Sequence, residues 1–162
     1  MAEARSFPLA VQVPVPSSHW DQESAVDLFA GCGTPALAVF AGNAQAYEVP
    51  LGGNVVLITA DDGTEAYYAH LAAGGRASGR VSAGQVIGYV SDSGNAAGTG
   101  CHLHFAVGQI NANGGGTYNV RDWLSGVGPA SPGDGASVLP GVDNRQLMMV
   151  AVGLLLLAAL MD

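Results

Sequence analysis

Positive charge is the scarcest property of this sequence. Lys and Arg number five against thirteen Asp and Glu, and the formal net charge is -8. Nucleic-acid binding relies on clustered basic side chains that displace counterions from phosphates. No basic run occurs, so a nucleic-acid partner is excluded. Cysteine is also scarce: Cys32 and Cys101 are too few for a disulfide framework and read as either two buried thiols or one bridge. A clear amphipathic helix is missing, apart from a helical turn at Val120–Leu124. The segment Met1–Pro8 holds no apolar core of signal-peptide length.

Glycine and apolar residues are plentiful. There are 24 glycines, and 49% of residues are hydrophobic. That composition suits short strands separated by turns, around a buried core. An arm at 1–18, punctuated by Pro8, Pro14 and Pro16, reads as an extended or edge segment. Short apolar runs follow: 36–40, 54–59, 64–71, 85–90 and 102–107. Asp61-Asp62-Gly63 between two of them is a hairpin turn signal. Residues 72–81 and 91–100, rich in Gly, Ala and Ser, read as loops. The pattern is that of an all-β sandwich or barrel.

The run Gly100-Cys101-His102-Leu103-His104-Phe105 concentrates the chemistry. Successive side chains of a strand face opposite ways. His102 and His104 therefore share one face, while Leu103 and Phe105 supply an apolar backing. An isolated His-x-His can also be a strand with two structural histidines. Here two more, His19 and His70, lie at or near strand ends, and Asp27 sits in an apolar setting with Asp21 upstream. A buried carboxylate needs a partner or a cation. Three His or carboxylate ligands and one open position make a catalytic zinc site. Further histidines can serve as base and transition-state stabiliser.

These motifs resemble those of the M23 zinc metallopeptidases of lysostaphin and LytM type, which cut peptide cross-links of bacterial peptidoglycan. The resemblance is carried, in order, by Asp27-Leu28, Gly33–Ala38, Tyr68-Ala69-His70-Leu71, Gly84–Gly88, Ser93-Gly94-Asn95 and Thr99–Phe105. It implies an all-β fold, mainly an antiparallel sheet groove with small extra sheets. It implies that Asp27 and His104 ligate Zn2+, that His102 is the base for the zinc-bound water, and that His70 stabilises the oxyanion. The family places its first ligand four residues before the aspartate, where this chain has Glu23. His19, eight residues before Asp27, is taken as the third ligand across a longer loop, with Glu23 as second choice. Convergence of these motifs on one ion also implies a Cys32–Cys101 disulfide and an oxidising working place.

The chain therefore divides into an arm (1–18), an M23-like peptidase domain (19–125), a linker (126–145) and a hydrophobic C-terminal anchor helix (146–162). Half of the residues from Gly126 to Gly141 are Gly or Pro, which suits a linker. Leu147–Met161 is uncharged and mostly aliphatic. As a helix it would span roughly 22 Å, short of a ~30 Å hydrocarbon core unless its ends snorkel. The expected partners are peptidoglycan and, through the anchor, a membrane or a hydrophobic virion component. The expected location is membrane-associated, in a phage virion or else in the bacterial envelope. The rival expectation is a non-catalytic wall-binding or structural protein of the same fold.

Overall fold

The structure, a computed structural model, describes residues 5–16, 24–125 and Val127. His19, Trp20, Asp21, Glu23 and the apolar segment 147–161 lie outside the described residues.

Among the described residues, eight strands make two antiparallel sheets. Strands β1 (Val26–Phe29), β3 (Gly42–Val49), β4 (Gly53–Thr59), β5 (Glu65–Leu71), β6 (Gly79–Val81) and β8 (His102–Gly108) form the larger sheet, in the order β1-β8-β5-β4-β3-β6. Strands β2 (Pro35–Leu37) and β7 (Val86–Tyr89) form a small second sheet. A short helix, α1 (Val120–Leu124), follows β8. The all-β expectation holds, with an open main sheet rather than a closed barrel.

Alternation along the strands sorts residues between two faces. On one face Tyr68, Phe105, Leu28, Leu103 and Ile58 are fully buried and form the main core. Leu103 and Phe105 thus back the histidine pair as their parity requires. The phenol of Tyr68 accepts the Val39 N–H at 2.9 Å, which satisfies two buried polar groups in one bond. The arm seals the edge of this core. Phe7 and Leu9 are buried, and the backbone pairs Ser6 N with Val39 O and Leu37 N with Pro8 O. On the opposite face the side chains are small: Ala25, Ala69 and Ala106 flank Val55 and Tyr67. Small residues there leave a trough over the middle of the sheet.

The turn at 61–63 closes as its sequence requires. Gly63 takes a φ of +85°, and Asp62 Oδ1 accepts the Thr64 N–H at 2.8 Å. Two segments depart from the sequence reading. The strand expected over 36–40 stops at Leu37, and the chain turns to start β3, which sequence periodicity does not signal. Its run Gly-Asn-Ala-Gln-Ala-Tyr-Glu-Val buries mainly small residues and is held by pairing with β4 from Asn43 to Val49. The expected loop 72–81 ends in β6, a three-residue edge strand paired with Gly42–Ala44. Neither has enough apolar periodicity to be read locally; backbone pairing to a neighbour creates both.

Candidate active site

The register of β1 against β8 builds the centre of the site. Asp27 pairs with His104, and Phe29 with His102. The Asp27 carboxylate faces both imidazoles: Oδ1 lies 2.9 Å from His104 Nδ1 and 3.9 Å from His102 Nε2. From the other side β8 pairs with β5, so that Ala69 stands opposite His104 and His70 follows at the strand's end.

His70 adopts a φ of +61°, and among the described residues no other non-glycine has a positive φ. Such a conformation costs of order 1–3 kcal/mol and is held only where the surroundings fix it. Here they do. The His70 N–H donates to Gly52 O at 2.8 Å, and its carbonyl accepts from Ser91 N at 2.9 Å. The twist swings the ring toward the other histidines, with centroids 4.7 Å from His102 and 6.0 Å from His104. The exposed ring of Phe29 flanks His102 at 5.1 Å.

Backbone carbonyls set the tautomers. A carbonyl only accepts, so the ring nitrogen facing it carries the proton. His70 Nδ1 donates to Ser93 O at 2.8 Å, and His102 Nδ1 donates to Gly100 O at 2.9 Å. Both rings are therefore left with an unprotonated Nε2. Burial pushes the His70 pKa below the ordinary histidine value, and the two neighbouring imidazoles push the same way. The Ser93 carbonyl and Asp27 oppose them. His70 is thus neutral near pH 7.

His104 is reversed. Its Nε2 donates to Gly114 O at 3.1 Å, which turns Nδ1 toward Asp27. In the neutral ring a lone pair then faces a carboxylate oxygen 2.9 Å away. Two acceptors rest at that distance only with a proton or a cation between them. Imidazole and carboxylate are ligands suited to Zn2+, and tetrahedral coordination sets neighbouring donors roughly 3.3 Å apart. A carbonyl behind a ligating imidazole is the usual outer partner of such a site. Asp27 and His104 therefore fit the ion. Among the described residues no third His, Cys, Asp or Glu completes a metal-binding group, and both candidates for that place, His19 and Glu23, lie outside them.

Cys32 and Cys101 are joined as a disulfide, with Cα atoms 5.3 Å apart. It ties the turn after β1 to the residue just before His102. The four side chains Asp27, His70, His102 and His104 lie together in a cleft of about 680 Å³.

Residues 21–117 match the model of peptidase family M23. The chain belongs to peptidase family M23. It is 38% identical over 92 residues to the DD-carboxypeptidase/endopeptidase Mpg of Neisseria meningitidis serogroup B, a match taking in 53% of this chain. The chain spans about a fifth of that relative's length (20%). The catalytic domain of lysostaphin from Staphylococcus simulans aligns with a TM-score of 0.55 and 26% identity, over 76% of this chain and 92% of that one. A catalytic-domain variant of the prophage-encoded M23 protein EnpA from Enterococcus faecalis aligns with a TM-score of 0.52 and 26% identity, over 74% and 90% of the two chains.

Within this M23 domain the sequence named the side chains but not what holds them. Ser93 does most at the His70 end. Its hydroxyl donates to Leu71 O at 2.8 Å and accepts from Asn54 N at 3.0 Å, while its carbonyl fixes His70. The Ser93-Gly94-Asn95 motif was the available signal. The carbonyl of Gly114, in a run of Asn and Gly, had none.

Proposed function

We propose that this M23 peptidase is a zinc-dependent endopeptidase acting on the peptide cross-links of bacterial peptidoglycan. The observation that carries this reading is His104, oriented by Gly114 so that its Nδ1 and Asp27 Oδ1 face each other as ligands, beside two histidines with free Nε2 lone pairs. Asp27 and His104 would hold the ion together with His19, or with Glu23 in its place. When bound, zinc supplies a Lewis acid and lowers the pKa of a coordinated water toward neutrality.

The chain's own residues handle the protons. His102 Nε2, near Asp27 and locked in its tautomer by Gly100, accepts the proton of the attacking water. The proton then passes to the departing amine. His70 cannot donate from Nε2 while neutral, because its one proton is committed to Ser93. It serves a developing oxyanion as an imidazolium, after its Nε2 takes a proton from solvent, and returns that proton to solvent when the oxyanion collapses. The peptide substrate class follows from family membership. The wall substrate is supported by the similarity to Mpg and to lysostaphin.

The test is zinc content measured together with clearing of purified peptidoglycan. His102→Ala should lower the rate of clearing by at least about 100-fold and leave bound zinc unchanged; undiminished clearing would refute the assignment. The rival reading, a non-catalytic wall-binding or structural protein, draws on Glu23 standing where the family places a histidine. It requires a chain without zinc that clears no wall. The uncharged run 147–161 supports a membrane-associated place of work, in a phage virion or a bacterial envelope. Assaying purified virions and envelope fractions for the protein distinguishes these.

A further inference from the structure

The trough does not end at the histidines. A second cavity of about 250 Å³ continues it along the sheet, sharing Val49, Tyr67 and Ala112 with the main cleft. Its walls are Tyr47, Leu57, Ile110 and Glu65. Glu65, Tyr67 and Ala69 lie on one face of β5, and Ala69 stands opposite His104. Four strand residues at ~3.3 Å each put Glu65 about 13 Å from the reacting centre. An extended peptide lying along the strand covers that distance in about four residues.

No arginine of the described residues lines this path. All five basic residues of the chain are arginines. Of the four described, Arg5 lies over the Trp123 ring, Arg80 pairs with Asp61, and Arg121 is on α1. Arg76 reaches the Tyr47 carbonyl and pairs with Glu48 at 3.5 Å. None of the four lines either cavity. Asp27 stands at one end of the path and Glu65 at the other. The Ile110 N–H donates to Glu65 Oε2 at 2.9 Å, which fixes the carboxylate on the wall. Among the described residues Oε1 has no hydrogen-bond partner. The two phenols beside it stay protonated: burial and the Glu65 charge raise the pKa of Tyr47, and burial, with Tyr47 adding to it, pushes Tyr67 up to about 12.

We propose that Glu65, with Tyr47 and Tyr67, forms a subsite for a primary ammonium carried on a side chain of the bound peptide, several residues from the bond that is cut. A carboxylate flanked by aromatic faces is a suitable receptor for an alkylammonium, pairing with its charge while the rings cover its stem. This inference rests on the endopeptidase reading.

The test uses Glu65→Gln, which keeps an oxygen for the Ile110 N–H and removes only the charge. The probes are Gly/Ala hexapeptides with one lysine moved stepwise along them, and their ε-acetylated twins. Equilibrium binding is measured on the full chain carrying His102→Ala, with and without Glu65→Gln; cleavage is followed separately with the unsubstituted protein. Acetylation should weaken binding by about two- to fivefold at the best lysine position. Glu65→Gln should weaken the amine peptides by the same factor and leave the acetylated twins unchanged. Equal binding of the twins, an equal loss for both on Glu65→Gln, or no binding at millimolar peptide would overturn the subsite. Amine-dependent binding without cleavage would keep the subsite and remove the endopeptidase reading; cleavage indifferent to acetylation would do the reverse.

Discussion

A single residue, His70, shows how local strain, burial and protonation are linked in this site. Its φ of +61° and its bond to the Ser93 carbonyl hold the ring in a part of the cleft where charge is disfavoured. Its folded pKa is lowered from the ordinary histidine value of about 6.5. Above pH 6.5 the ring is neutral both folded and unfolded, and it costs nothing. As pH falls below 6.5 the unfolded chain takes up a proton that the folded chain refuses. Stability is then lost, by up to about 1.4 kcal/mol per pH unit, until the folded pKa is passed. His70→Asn removes the titration and tolerates the backbone, since Asn accepts positive φ better than most residues. Urea denaturation at pH 7.5 and 5.5, in the presence of chelator, should show a smaller loss of stability for His70→Asn than for the parent. An equal loss would mean that the ring is not desolvated. The identity of His70 as a chemical residue was legible from Tyr68-Ala69-His70-Leu71. Its tautomer was not, because a carbonyl 23 positions away sets it.

At the scale of elements, the site depends on a joint between the start of β4 and the 3-10 turn Gly94–Ala96. Gly53 and Gly94 meet there backbone to backbone, both at positive φ (64° and 70°). A Cβ at Gly94 would lie 2.4 Å from Gly53 N and closer still to the Leu51 carbonyl. Gly94→Ala therefore forces both a strained φ and a separation of the two segments. It should cost about 2–3 kcal/mol, read as a fall in the urea midpoint with m unchanged. Because Ser93 is the neighbouring residue, the same change should loosen His70. Sequence pattern identified the apolar runs that become β2, β4, β5, β7 and β8, and the Asp-Asp-Gly turn between two of them. It missed β3, whose Ala, Asn and Gln side chains have no strong alternation, and β6, which is three residues long. Those strands exist through pairing across the sheet, a property of distant segments that no local window contains.

At the scale of the whole molecule, the Cys32–Cys101 bridge links positions 69 residues apart, and the closed loop contains β2 to β7. Among the described residues, everything that lines the cleft except β1, β8 and the segment after β8 lies within it. Cross-linking a loop of that length removes enough freedom from the unfolded chain to be worth roughly 4 kcal/mol on the entropic model. Few other devices of that size are present. The bidentate ion pair of Arg80 with Asp61 is exposed and contributes little, and the sheet's cleft face is packed by alanines. The two cysteines alone left pairing open; family resemblance implied the bridge by bringing their flanking motifs to one ion. A Cys32→Ser/Cys101→Ser double variant should lose up to about 4 kcal/mol of unfolding free energy, and reductant should lower the midpoint of the parent chain but not that of the variant. The bridge also holds Gly100 and Cys101 against the turn after β1, and Gly100 sets the His102 tautomer. If that anchoring matters beyond stability, the double variant should clear peptidoglycan more slowly than the parent even at a temperature where both are fully folded. Equal rates there would confine the bridge to a role in stability.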